Sequence, residues 1–130
     1  MAEARKPARA RPMPTESSEQ IKTVLKFSMF YPNEAQLLIA VPNGSYRKPL
    51  EAIRLKREGV KAGMTDLMLL MACGGFHGFC LELKRADGGV VSAAQKKMHA
   101  LLVEQGYMVK ICSGADEAYT ALEQYIAAHN

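Results

Sequence analysis

Residues 66–84 constrain this chain more than any other stretch. Asp66–Ala72 (DLMLLMA) and Phe79–Lys84 (FCLELK) are two apolar runs of strand length, with Gly74-Gly75-Phe76-His77-Gly78 between them. Such a pair, joined by a glycine-rich loop, predicts an antiparallel hairpin. The second run carries two charges where a strand interior is expected. Glu82 and Lys84 lie two apart, so on a strand both side chains leave by the same face. A carboxylate flanked by Leu81 and Leu83 is costly unless it is paired or holds a cation. With Asp66 opening the first run, two acids and one fixed ammonium are available to a single site. That set suits phosphodiester hydrolysis, in which a divalent cation polarises the phosphoryl oxygen and lowers the pKa of a bound water. The ammonium stabilises the charge that develops.

The rest of the chain supplies helices and two further strands. Thr15 is a suitable N-cap, and from Glu16 the pattern turns helical, with Ile21, Val24, Leu25 and Ser28 on one face until Tyr31-Pro32-Asn33. LLIAV (37–41) reads as a short buried strand stopped by Pro42-Asn43-Gly44. Pro49 opens a helix that runs to Gly59, a natural residue just past a helix end. Asp87-Gly88-Gly89 is a turn, and Ser92 caps a helix with core positions Met98, Leu101 and Leu102, closing at Gly106. YMVKIC (107–112) is a strand, and Ala115–Ala128 a helix with Ala118, Leu122, Tyr125 and Ile126 inward. This order predicts an α/β fold, a small mixed sheet flanked by helices.

At 130 residues the chain is long enough for one well-packed domain. Residues 1–14, rich in Pro, Ala and Arg, are expected to form a disordered basic arm, leaving 15–130 as a single domain. No apolar run reaches a membrane span and no signal-peptide core is seen near the N-terminus, so a cytoplasmic protein is expected. Cys73, Cys80 and Cys112 are an odd, scattered set that indicates neither disulfides nor zinc. His77, His99 and His129 show no ligand spacing and are read as non-catalytic; the eight methionines read as core filler.

The formal charge of +4 is mostly a tail effect: residues 1–14 carry a net +3 and the other 116 only +1. Local clustering is more telling. Arg47, Lys48, Arg54, Lys56, Arg57 and Lys61 against Glu51 and Glu58 give residues 46–61 a net +4, a patch able to track phosphates or simply to face solvent.

Together these residues resemble the virus-type replication-repair nuclease (VRR-NUC) domain of the PD-(D/E)XK superfamily, which has a restriction-endonuclease-like core. The matching pieces are Glu16-x-x-x-Gln20, AVPNG (40–44), RLKREGVKAGMTDL (54–67) and FCLELKRADGGVVSAAQ (79–95). A bare D…ExK pattern is weak. The same pattern framed by G-x-x-D-L and S-x-x-Q is strong. Thr65 stands where the family usually has proline, which implies at most a looser approach to Asp66.

The resemblance implies a Mg²⁺- or Mn²⁺-dependent endonuclease acting on branched or junction DNA, without a small-molecule cofactor. Small stand-alone members, many carried by phages, resemble Holliday junction resolvases and tend to be homodimers. A flap or nicking enzyme, an exonuclease, or a non-catalytic DNA-binding module on the same fold are the alternatives. Asp66 and Glu82 are the expected metal ligands, with the Leu83 backbone oxygen completing part of the shell. Lys84 is expected to orient the attacking water and neutralise the phosphate, and Gln95 to hold Lys84 or the scissile phosphate. Of two possible distal carboxylates, Glu16 lies beside Gln20 at the edge of the apolar face, whereas Glu19 points away from it, so Glu16 is preferred. Asn43, Arg47, Lys48, Arg54, Lys56, Arg57 and Lys61 are the expected DNA contacts, to phosphate and not to bases. The sequence does not show the dimer surface; the apolar helices over 93–106 and 115–128 are candidates, but each also has a core to cover.

Overall fold

A computed structural model describes residues 15–42 and 48–128. The elements are α1 (Glu16–Phe30), a 3₁₀ turn (Glu34–Leu37), β1 (Leu38–Ala40), α2 (Pro49–Arg57), β2 (Leu67–Leu69), β3 (Phe79–Lys84), α3 (Ala93–Glu104), β4 (Met108–Ser113) and α4 (Ala115–Ala127). The four strands form one sheet in the order β1-β2-β3-β4. β1, β2 and β3 pair antiparallel, whereas β4 runs parallel to β3. A parallel neighbour needs a crossover, and α3 provides it.

β3 is buried along its whole length because it lies inside the sheet and is covered on both faces. Phe79, Leu81 and Leu83 point into the main core with Leu67, Leu69, Phe27, Leu122 and Tyr125, beneath α1 and α4. Phe79 stacks on Tyr125 with ring centroids 5.0 Å apart. By strand alternation Cys80, Glu82 and Lys84 point the other way, toward α3.

Several expectations needed correction. β1 is an edge strand with Ile39 40% exposed, not a buried one, since only β2 pairs with it. The ladder in the 66–72 run stops at Leu69, and the Met71 carbonyl instead accepts from the Tyr125 hydroxyl at 2.6 Å. α1 packs on α4 through Glu19, Thr23 and Phe27. Of the face expected from periodicity, Val24 packs against the core, whereas Ile21, Leu25 and Ser28 are left on the surface. On α3, Leu101 is exposed, and the half-buried face is Gln95, Met98, His99 and Leu102, which is the i, i+3, i+4, i+7 stripe. α4 is inward at Ala118, Tyr119, Leu122 and Tyr125, close to expectation. Cys73, Cys80 and Cys112 are free and buried. Among the described residues, no helix is long and apolar enough to cross a membrane.

Candidate active site

The β2–β3 register explains how two acids sixteen residues apart meet. Leu67 pairs with Leu81, so one step further sets Asp66 opposite Glu82, where side chains share a face. The Asp66 Oδ2 accepts from the Leu83 amide at 2.7 Å, pinning this carboxylate beside the central strand. Thr65, the departure from the family pattern, is fully buried, with its hydroxyl 3.4 Å from the Leu67 carbonyl.

Lys84 and Glu82 are 7% and 2% exposed, and Gln95 binds both. Its amide oxygen accepts from the Lys84 Nζ at 3.0 Å, and its amide nitrogen donates to Glu82 Oε1 at 2.9 Å. Lysine can only donate, so this arrangement also fixes which way the amide faces. The same Gln95 oxygen accepts from the Ser92 amide at 2.9 Å, while Ser92 Oγ accepts from the Gln95 amide at 3.1 Å. That reciprocal capping box starts α3 and delivers Gln95 to β3 in one stroke. Of the two tasks open to Gln95, the geometry shows the hold on Lys84.

Gly63 explains the glycine of the G-x-x-D-L frame. Its φ is +81°, and a Cβ there would lie 2.3 Å from the Ala94 carbonyl oxygen. The segment leading to Asp66 thus packs directly on the first turn of α3.

The two distal candidates separate cleanly. Glu19 is buried and its Oε2 accepts from the Ala115 amide, capping α4, whose own N-cap residue is Gly114. Glu16 lies at the rim of the site: its charge bears on Glu82, and its Oε1 is 3.7 Å from where a Gly89 Cβ would stand, beside the Lys84 stem.

Glu82 is pushed up to about 8, first by burial and then by the Asp66 charge, with Lys84 opposing. Its Oε2 is buried without a hydrogen-bond partner. A buried carboxylate oxygen left open beside a second carboxylate fits a hard divalent cation. Leu83 adds a carbonyl on the same strand edge, since its amide already points at Asp66 and N–H and C=O of one strand residue leave together. Among the described residues, no three His, Cys, Asp or Glu side chains close on one point. Mg²⁺ asks for no such cage, because one or two carboxylates suffice while water and phosphate complete its shell.

His99, set aside on sequence, lies at this site with Nε2 3.6 Å from Glu82 Oε2. The signal for it was its i+4 spacing from Gln95, which puts both on one helix face. His77 instead packs over Gly106 and Tyr107 at the hairpin, and His129 lies outside the described residues. Lys48, Arg54, Lys56, Arg57 and Lys61 are exposed on and around α2, which buries no residue. Asn43 and Arg47 fall outside the described residues.

No family model and no curated protein matches this chain. A solved structure named VRR_NUC domain protein does, at 25% identity and a TM-score of 0.80, over 93% of this chain and 94% of the other. With sheet order, crossover and acidic pair already in place, the chain has the fold of a VRR-NUC domain, a nuclease-family architecture.

Proposed function

We propose that this protein is a Mg²⁺- or Mn²⁺-dependent endonuclease that cuts phosphodiester bonds in branched DNA, with junction resolution as its sharpest form. The observation that carries the reading is Asp66 opposite Glu82, with Lys84 held to the same carboxylate by one glutamine. Asp66, Glu82 and the Leu83 carbonyl hold the cation, with Glu16 as the distal carboxylate. The cation, when bound, supplies a Lewis acid for the phosphoryl oxygen and makes water nucleophilic near neutral pH. Gln95 keeps Lys84 within 3.9 Å of Glu82, so the ammonium stays where phosphate charge builds and where a water can be oriented. Lys48, Arg54, Lys56, Arg57 and Lys61, with Arg47 and Asn43, contact the phosphate backbone and set position without reading sequence.

A homodimer acting in the cytoplasm completes this reading, since two sites about a two-fold axis suit paired cuts. The experiment is cleavage of a labelled four-way junction beside flap and duplex DNA, with Mg²⁺, Mn²⁺ or EDTA and with Asp66→Asn as control. Symmetric paired cuts that need the cation and Asp66 are expected. Cation-dependent cutting of flap or duplex alone keeps the nuclease and removes the resolvase. Binding without any cutting leaves a DNA-binding module on this fold.

A further inference from the structure

The two oxygens of Glu82 are held unequally by α3. Gln95 donates to Oε1, while Oε2 is buried with no partner. One helical turn on from Gln95, the His99 Nε2 is likewise buried with no partner. These two orphan atoms stand 3.6 Å apart, with side chains 2% and 12% exposed. Leaving both unsatisfied is expensive, and a small rotation of either side chain joins them. The imidazole also lines an open groove of about 450 Å³ between α3 and β4, with Ala100, Val103, Val109, Lys110 and Ile111.

We propose that His99 is a positioning residue for Glu82. Its Nε2–H donates to the carboxylate oxygen that Gln95 leaves free, so that α3 holds both oxygens in a single orientation. This rests on the reading of Glu82 as a cation ligand. An ionised, cation-bound Glu82 can only accept, which makes His99 the donor and requires the Nε2–H tautomer. A carboxylate oxygen has two lone pairs, so the histidine bond and the cation do not compete. Lys84 and Gln95 are the other groups facing this carboxylate from β3 and α3, and Asp66 faces it from β2.

The test measures Mn²⁺ affinity by titration calorimetry for the wild-type protein, His99→Phe, His99→Gln and Asp66→Asn, with circular dichroism as the check on folding. Losing a hydrogen bond to a metal ligand costs about 10–100-fold in affinity. His99→Phe, which fills the space without a donor, is expected to weaken Mn²⁺ by that factor. His99→Gln, which can donate an N–H from a similar place, is expected to recover most of it. A merely structural histidine would give the reverse order, with phenylalanine the better substitute. In the Mg²⁺-saturated wild-type protein, ring ¹⁵N spectra should show His99 protonated at Nε2, a readout that needs no variant. Phenylalanine within twofold of wild type, or an Nδ1–H tautomer, overturns the proposal while leaving the cation site intact. Wild-type protein that binds Mn²⁺ no better than Asp66→Asn overturns the proposal and the cation reading together.

Discussion

Buried at 2% exposure with Asp66 across the strand, Glu82 keeps its proton to about 8 in the cation-free protein, whereas a free glutamate releases it near 4.5. Between those values the folded state binds more protons than the unfolded chain. The stabilisation is full below about 4.5 and is lost as pH rises toward about 8. Thermal unfolding in EDTA should therefore show a melting temperature that falls across this window. Glu82→Gln should flatten that particular slope, and an unchanged slope would remove Glu82 as its source. Cation binding must expel the proton, so Mg²⁺ or Mn²⁺ should raise the melting temperature of the wild-type protein and release acid into a weak buffer. The acids and Lys84 were legible in the sequence because each breaks a pattern: a charge inside an apolar run advertises itself. His99 was harder to see: its i+4 spacing from Gln95 puts both on one helix face, but a histidine at an intermediate position on an amphipathic helix breaks no pattern. Only its partner across the interface gives it meaning.

At the level of elements, caps and turns were readable and faces were not. Thr15 and Ser92 do cap α1 and α3, and the glycine-rich loop does turn the hairpin, since these are local backbone demands met by local residues. Which side of α1 is inward depends on α4, an element nearly a hundred residues away. Periodicity picks the larger apolar stripe, yet Glu19 must reach the bare N-terminus of α4, and Thr23 and Phe27 follow it inward. The two glutamates on α1 should accordingly behave in opposite ways. Glu19→Ala is expected to cost about 1–3 kcal/mol, measured by urea unfolding, because it leaves the part-buried Ala115 amide at the start of α4 without its acceptor. Cleavage by the folded fraction should persist. Glu16→Ala should leave stability within about 0.5 kcal/mol and depress cleavage instead. If the loss of activity follows Glu19 and spares Glu16, the distal role moves.

α2 makes the same point about surfaces: it buries no residue and carries Arg54, Lys56 and Arg57 in its last turn. Converting those three to alanine should leave the melting temperature nearly unchanged while weakening DNA binding. The slope of log affinity against log salt should shrink by roughly 0.9 for each duplex phosphate contact removed. An unaltered slope would mean that the DNA lies elsewhere.

Across the whole molecule, the order of elements and the mixed sheet followed from the sequence, because alternating short apolar runs and capped helices admit few arrangements. What did not follow was the placing of α3 on the sheet. It depends on close approach between Gly63 and the Ala94 carbonyl, and on the single glutamine that holds Glu82 and Lys84 together. Gly63→Ala should act on both halves at once. A methyl group 2.3 Å from that carbonyl oxygen, at φ +81°, has to push α3 away or abandon its backbone geometry. We expect a loss of about 1–3 kcal/mol in unfolding experiments. Cleavage at temperatures where the variant is still folded should drop further than that loss explains.

The same contact sets the smallest unit of this domain that can be moved between proteins. A hairpin carrying Asp66, Glu82 and Lys84, grafted onto another sheet, would bring the three proposed site residues but not the surface that keeps them in register. The transplantable cassette runs from Gly63 through His99, loop, hairpin, turn and half a helix together, and its host must still supply an acid in the place of Glu16 on α1. Chimeras cut inside that interval should fold and fail to cut DNA, whereas chimeras cut outside it should exchange their DNA preferences and keep their chemistry.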